Sequence, residues 1–144
     1  MTASVFIGTS VDGFIARPNG ELDFLPEGGE PHGYDEFIAS VDAIVIGRKT
    51  FETVLAFQAW PYGDKRVVVL SSRPVDFSAV RGGVVEQMAG PPAEIVRLII
   101  TRVPVLIGEG VPLFGSVPRD IRLRHVATRH YASGLVQSEY EVAG

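Results

Sequence analysis

Short apolar runs alternate with turn-rich stretches along this chain, and the runs change their period at recognisable points. Residues 4–16 (SVFIGTSVDGFIA) are rich in β-branched and aromatic side chains up to Asp12 and Gly13, which predicts a core strand followed by a loop. Residues 17–33 are rich in proline and glycine and predict an irregular loop. A helical segment is predicted over residues 35–40.

Residues 42–74 have the pattern of a strand, a helix and a second strand. Ala43–Ile46 is a continuous apolar run of the kind buried on both faces of a sheet, and Arg66–Leu70 is another such run before Pro74. Between them a helical stripe is predicted at Phe51, Val54, Leu55 and Gln58. Such a unit normally forms a right-handed crossover between parallel strands, and ligands bind beyond the carboxyl ends of those strands.

The remaining chain predicts mainly β structure. Residues 81–92 are rich in glycine and are predicted to be a connection, whereas residues 98–107 predict a long strand. GEGVPLFG, residues 108–115, is predicted to turn the chain, with Leu113 and Phe114 filling the core. Residues 121–142 alternate like a hairpin around Ala132-Ser133-Gly134.

Composition and charge narrow the classes of protein that this chain can represent. Its 144 residues suit one domain spanning 1–144, and 46% apolar with 21% charged residues is a globular composition. A net charge of −4 gives no general attraction to nucleic acid or to an anionic membrane surface. We therefore expect neither nucleic acid nor a membrane among its partners.

The residues that the chain lacks exclude further kinds of site. With no cysteine there is no disulfide, thiolate metal site or thiol nucleophile. His32, His125 and His130 are not spaced as ligands on one helix, so no metal site is predicted. No apolar run approaches the length of a membrane span, and the N-terminal stretch does not resemble a secretory signal. We expect a cytoplasmic protein.

The sequence Gly47-Arg48-Lys49-Thr50 joins the first apolar strand of residues 42–74 to its helix. Gly47 allows a bend, and the first turn of the helix exposes amide hydrogens with partial positive charge. Arg48 and Lys49 add full charges and Thr50 adds a hydroxyl, so the bend is suited to a phosphate or pyrophosphate. The structural alternative is a solvated basic turn in which Thr50 caps the helix.

A second cationic segment follows the next strand. Arg73 is predicted at its end, where the guanidinium is suited to bind a second phosphate while Ser71 and Ser72 donate hydrogen bonds. Two anion sites at adjacent strand ends favour a dinucleotide that carries an additional ribose phosphate over the structural alternative.

Four segments in this order resemble one protein family. SVDGFIA, DAIVIGRKTFE, VVVLSSRP and VPVLIGEGVPLF resemble the dihydrofolate reductase-like superfamily, in the branch containing the C-terminal reductase domain of riboflavin biosynthesis. The match runs from residue 4 to about residue 115. It implies an α/β fold, a three-layer sandwich with a mixed, mainly parallel central sheet. It also implies NADPH as the cofactor, a pteridine-like or ribityl-pyrimidine-like heterocycle as the substrate, and a homodimer.

The resemblance also implies roles for individual residues. Gly47, Arg48, Lys49 and Thr50 would hold the pyrophosphate side of NADPH, and Ser71, Ser72 and Arg73 would surround the ribose phosphate. The loop closing over nicotinamide and substrate would contain Ser10, Val11, Asp12, Gly13, Phe14 and Ile15. Gly108 and Gly110 would line the substrate pocket. Asp12 and Glu109 are the candidate proton donors, with Asp35 and Glu36 as weaker candidates because acids are favoured in a first helical turn anyway.

The chain departs from the family pattern between the SSRP strand and the VPVLIGEG strand. The family carries there a helix, a strand ending in Gly-Gly and a second helix, whereas here a helix predicted to start in residues 91–96 runs directly into the next strand. The shortfall is about 30 residues. A segment is either missing from the sequence near Val96-Arg97 or truly lost. We favour the first, because a true loss would leave core ladder groups unpaired at about 1–3 kcal/mol each.

These observations predict an NADPH-dependent reductase of a small heterocycle. Two alternatives stay open. One is a non-catalytic nucleotide or flavin binding protein on the same fold, and the other is a purely structural subunit. Hydride transfer requires side chains mainly to position the reacting carbons and to exclude water, because the cofactor supplies the reactivity. The residue types in the sequence therefore do not distinguish a reductase from these two alternatives.

Overall fold

A computed structural model describes residues 2–26, 33–57, 59–80, 82–89 and 94–143. The predictions for His32, Gln58 and residues 91–93 lie outside this range. The chain divides into two compact units, Met1–Tyr34 with Ala93–Gly144, and Asp35–Pro92. The described elements are β1 (Thr2–Ser10), β2 (Phe14–Ala16), α1 (Tyr34–Ala39), β3 (Ala43–Gly47), α2 (Arg48–Leu55), β4 (Arg66–Leu70), β5 (Val84–Met88), β6 (Glu94–Val103), β7 (Val111–Pro112), β8 (Leu123–His130) and β9 (Val136–Val142).

The unit formed by the two ends of the chain contains a four-stranded mixed sheet. Its strand order is β1-β6-β9-β8, with β1 and β6 parallel and the other two pairs antiparallel. The predicted C-terminal hairpin of β8 and β9 is confirmed. The short strands β2 and β7 form a separate antiparallel pair. Leu98, Ile99 and Val103 of β6 are buried in the core of this unit.

The unit of residues 35–92 contains a three-stranded parallel sheet in the order β3-β4-β5. The central strand β4 is the most apolar, and Val67, Val68 and Val69 expose 0%, 5% and 0% of their surface. Helix α2 crosses from β3 to β4 and buries Phe51 and Val54. The predicted strand-helix-strand unit is therefore confirmed, and its helical period explains which side chains enter the core.

The predicted α/β class with a mixed, mainly parallel sheet is confirmed, but some local predictions were wrong. Residues 84–88 form β5 and not a loop, because the strand pairs in parallel along the whole of β4. Residues 94–96 begin β6 and not a helix, and β6 ends at Val103. Strand β3 is not buried on both faces, since Val45 is 44% exposed. Among the described helices, none is long and apolar enough to cross a membrane.

Strand β6 passes through Val96 and Arg97 without interruption. Its register against β1 shifts there, because Ala3 pairs with Ile95 while Ser4 pairs with Arg97. Val96 is thus the extra residue of a β-bulge, which lets a strand absorb one unmatched position while keeping its pairing on either side. The additional family segment expected near Val96-Arg97 stays a prediction. The β-bulge lies at the same position in the chain.

Candidate functional site

The two predicted cationic segments begin at neighbouring strand ends. Strands β3 and β4 are parallel, and Gly47 at the end of β3 pairs with Leu70 at the end of β4. The chain therefore enters GRKT and SSRP side by side at the same edge of the sheet. This edge is the carboxyl end of the strands, where open α/β sheets place ligands. We call residues 47–50 and 71–75 together the strand-end corner.

Helix α2 begins directly at Arg48, with Gly47 as its N-cap residue. Gly47 has φ −82° and ψ 170°, and no side chain caps the helix, so the alternative in which Thr50 is the cap is wrong. This φ is accessible to any residue, and a Cβ added to Gly47 would meet no atom within 4 Å. Neither the backbone nor packing requires glycine here. The space beside the positive end of the helix is open.

Arg48 links the two halves of the strand-end corner. Its Nη1 donates to the carbonyl oxygen of Pro74 at 3.0 Å and to Ser71 Oγ at 3.5 Å. Its Nε donates to Glu52 Oε1 at 3.1 Å, one helical turn further along. The guanidinium is thus already engaged by protein acceptors. Arg48 holds the corner together, in addition to contributing positive charge.

Ser71 shapes the second half of the corner. Its hydroxyl donates to the carbonyl oxygen of Arg73 at 2.8 Å and accepts from the Arg73 backbone N–H at 3.1 Å. Such local bonds are typical of serine in turns. Within the described residues, no hydrogen bond or ion pair engages the side chains of Lys49, Thr50, Ser72 and Arg73, all of which are exposed. These four side chains are the ones available to a ligand.

One residue that supports the strand-end corner from outside it was not predicted from sequence. Gln87 of β5 lies opposite Val69 of β4, and its amide reaches the backbone of residues 71–75. Oε1 accepts from Val75 N–H at 3.0 Å, and Nε2 donates to the carbonyl oxygens of Arg73 at 2.7 Å and Ser71 at 3.3 Å. The sequence signal was weak, because Gln87 lies in a segment predicted to be a connection.

The other unit contains the predicted loop around Asp12. The Asp12 carboxylate accepts from the backbone N–H groups of Gly108 at 2.8 Å and Ile107 at 3.3 Å. The nearby Ser10 hydroxyl lowers the pKa of Asp12 from its ordinary value of 3.8. Partial desolvation opposes this effect, and the Gly108 and Ile107 N–H groups lower the pKa further. Asp12 is therefore ionised near neutral pH. It fastens the turn after β1 to the turn after β6.

The glycines of these two turns have structural reasons to be glycine. Gly13 and Gly108 have φ values of 90° and 82°, in the left-handed region that side chains disfavour. A Cβ on Gly110 would lie 2.2 Å from the Ala16 carbonyl oxygen, so this residue allows the close pairing of β2 and β7. Their predicted place in a substrate pocket stays a prediction.

The two predicted apolar contributors of this region, Phe14 and Ile15, lie in β2 and are half-buried, with Phe14 opposite Pro112. The prediction that Phe114 fills the core was wrong, since it is 57% exposed. Glu109 lines a cavity of about 290 Å³ together with Arg17, Pro18, Asn19 and Ile107. Arg17 also pairs with Asp23 at 2.6 Å. This cavity is shallow, and its lining is about equally polar and apolar.

Comparison with known proteins identifies the fold. No protein-family profile matches the chain. A crystal structure described as a putative riboflavin biosynthesis protein from Shewanella sp. PV-4 is 28% identical, covers all of both chains and superposes with a TM-score of 0.88. Dihydrofolate reductase from Enterococcus faecalis complexed with NADP(H) is 18% identical, with a TM-score of 0.60 over 100% of this chain and 97% of its own. The chain has the dihydrofolate reductase-like fold.

A curated relative gives information on the length of the chain. The uncharacterized protein YwjB of Bacillus subtilis is 28% identical over an alignment of 162 positions that covers 91% of this chain and 92% of the relative. Because 91% of the 144 residues is about 131, about 31 of the 162 positions have no residue in this chain. This chain is therefore shorter than YwjB within the aligned region, and the family segment expected near Val96-Arg97 stays a prediction.

Proposed function

We propose that this protein is an NADPH-dependent reductase that transfers a hydride to a small heterocyclic substrate of the pteridine-like or ribityl-pyrimidine-like class. The observation that carries the proposal is the strand-end corner. Arg48 joins its two halves, while the side chains of Lys49, Ser72 and Arg73 remain available at the carboxyl edge of a parallel sheet. This arrangement is the one in which one phosphorylated coenzyme would contact both halves.

The residues of the corner fit the phosphates of such a coenzyme. The open N-cap at Gly47 and the first turn of α2 suit the pyrophosphate, with Lys49 and Thr50 as side-chain donors. Arg73 and Ser72 suit the ribose phosphate, because a planar guanidinium binds phosphate oxygens through two parallel hydrogen bonds. NADPH would supply the hydride. The chain's own task is to hold and orient it and to exclude water.

The proton for the reduced atom requires a separate donor. Asp12 does not suit this role, because its lowered pKa and its two backbone N–H donors hold it as an ionised acceptor. We therefore assign Asp12 a positioning role for the Ile107-Gly108 turn. Glu109 remains the candidate donor, since it lines a cavity of its own unit together with Asn19.

Titration with NADPH and NADH by isothermal calorimetry, followed by a heterocycle screen that records oxidation of NADPH, tests the proposal. We expect NADPH to bind more tightly than NADH, and Arg73→Gln to reduce this preference. Arg119→Gln, which changes an exposed arginine of the other unit, serves as the matched control and should leave both affinities unchanged. Equal binding of the two dinucleotides by the wild type would contradict the role given to Arg73.

A second function is favoured by two observations, the commitment of Asp12 to backbone donors and the missing positions relative to YwjB. On this alternative the chain binds a nucleotide or flavin without turnover. Tight binding of NADPH with no oxidation by any heterocycle would favour it, whereas no binding would remove both functions. The homodimer also stays a prediction, and sedimentation equilibrium would test it.

A further inference from the structure

The side-chain amide of Gln87 binds one turn through both its nitrogen and its oxygen. A glutamine amide has two N–H donors and one carbonyl acceptor. Both donors of Gln87 reach carbonyl oxygens, of Arg73 at 2.7 Å and of Ser71 at 3.3 Å, and the acceptor receives the Val75 N–H at 3.0 Å. Three bonds from one planar group thus fix residues 71, 73 and 75 relative to strand β5.

The turn has further supports, and they all act on its backbone. Ser71 Oγ bridges the N–H and the carbonyl oxygen of Arg73, and Arg48 Nη1 donates to the Pro74 carbonyl oxygen. The guanidinium of Arg73 and the hydroxyl of Ser72 receive no such support within the described residues. The backbone is therefore held in one conformation while these two side chains stay open to solvent.

We propose that Gln87 is a positioning residue for coenzyme selectivity, which acts through Arg73 by fixing the backbone of residues 71–75. The assignment rests on the proposed function, because Arg73 is the residue given to the ribose phosphate that distinguishes NADPH from NADH. A fixed backbone reduces the conformational freedom that Arg73 loses when it binds a phosphate. Loss of the Gln87 amide therefore weakens NADPH binding and leaves NADH binding nearly unchanged.

Gln87→Met tests this assignment, because methionine keeps a similar side-chain length and removes all three bonds. The matched control is Glu86→Met on the same strand, whose carboxylate pairs with Arg66 and not with the turn. We expect Gln87→Met to lower the preference for NADPH over NADH by about tenfold, and Glu86→Met to leave it unchanged. In an Arg73→Gln background, Gln87→Met should add less than about a twofold change, as a residue acting through Arg73 requires.

The outcomes separate this assignment from the proposed function. If the wild type prefers NADPH but a folded Gln87→Met variant keeps that preference, or loses both affinities equally, the positioning role is overturned alone. If the wild type binds neither dinucleotide, the proposed coenzyme is overturned and the assignment with it. Gln87→Glu is the second variant in case methionine prevents folding. It keeps an acceptor for Val75, removes both donors, and should also lower the preference.

Discussion

Replacement of Gly47 by alanine distinguishes a ligand site from a mere helix start. Gly47 has an ordinary φ of −82°, and a Cβ there meets no atom within 4 Å, so a side chain at this position causes neither backbone strain nor a clash. Such a Gly→Ala change typically stabilises by about 0.4–1 kcal/mol through the entropy of the unfolded chain, but alanine is a poorer N-cap residue than glycine and offsets this gain. We therefore expect the Tm of Gly47→Ala to stay within roughly 2–4 °C of the wild-type Tm.

Coenzyme binding should change far more than stability. The added methyl group occupies the open space beside the first amide groups of α2, where the pyrophosphate is proposed to bind. Loss of one charge-assisted hydrogen bond there costs about 1.5–3 kcal/mol, which corresponds to a rise in Kd of roughly 10- to 150-fold. Calorimetric titration with NADPH measures this Kd, and a thermal melt of the same sample measures stability.

Gly115→Ala is the matched control for this experiment. A Cβ on Gly115 also meets nothing within 4 Å, and Gly115 lies in the other unit. Its replacement should leave NADPH binding unchanged and alter the free energy of unfolding by no more than about 1 kcal/mol. A Gly47→Ala protein that binds NADPH as tightly as the wild type would refute the reasoning. Phosphate would then not approach the N-cap, and the conformation of Gly47 would be a feature of the fold alone.

Three other predictions concern the fold around the candidate residues. Because the pKa of Asp12 is lowered, its contribution to the free energy of unfolding is complete above about pH 4 and is lost as the pH falls through the folded-state pKa. Asp12→Asn should therefore weaken the pH dependence of stability, measured by circular dichroism at acid pH, and parallel pH curves for the variant and the wild type would contradict this. Gly110→Ala should destabilise by about 2 kcal/mol or more in urea unfolding, because its Cβ would overlap a β2 carbonyl oxygen, whereas Gly115→Ala should not. Phe51→Ala should lower the free energy of unfolding by about 3–5 kcal/mol because the Phe51 ring is 1% exposed. Phe114→Ala should change it by less than about 0.5 kcal/mol because Phe114 is 57% exposed, and equal losses in the two variants would contradict the burial of α2.

Sequence patterns predicted the parts of the fold whose signal is local. The continuous apolar run of β4 and the helical spacing of Phe51 and Val54 sufficed for the crossover unit, because burial on both faces and a 3.6-residue period are visible within a few residues. Strand β5 was missed because Glu86 and Gln87 interrupt its apolar run and glycines precede it. Its identity as a strand depends on pairing with β4, which is a contact distant in sequence.

The candidate site divides in the same way. That the GRKT and SSRP segments lie at one edge follows from parallel strand topology, so the sequence predicts it. Which cations remain free does not follow, because that depends on side-chain contacts across 16 to 26 residues, such as Gln87 to Ser71 and Arg48 to Pro74. The sequence shows charges of the same sign in both segments. Only the structure separates a charge that holds the corner from one that faces solvent.

The structure gives Arg48 and Arg73 different roles, although the sequence predicts the same phosphate-binding role for both. Arg48 donates to Glu52, Ser71 and Pro74, so its removal would take away the guanidinium that joins the two halves and would loosen the corner itself. Among the described residues, nothing engages the guanidinium of Arg73, although its backbone is bonded. Its removal would therefore destabilise the folded protein little and weaken phosphate binding strongly. Arg48 stabilises the strand-end corner, and the corner in turn holds the backbone of Arg73 in a fixed position. Rigid support of this kind is what allows a single guanidinium to discriminate between ligands that differ by one phosphate.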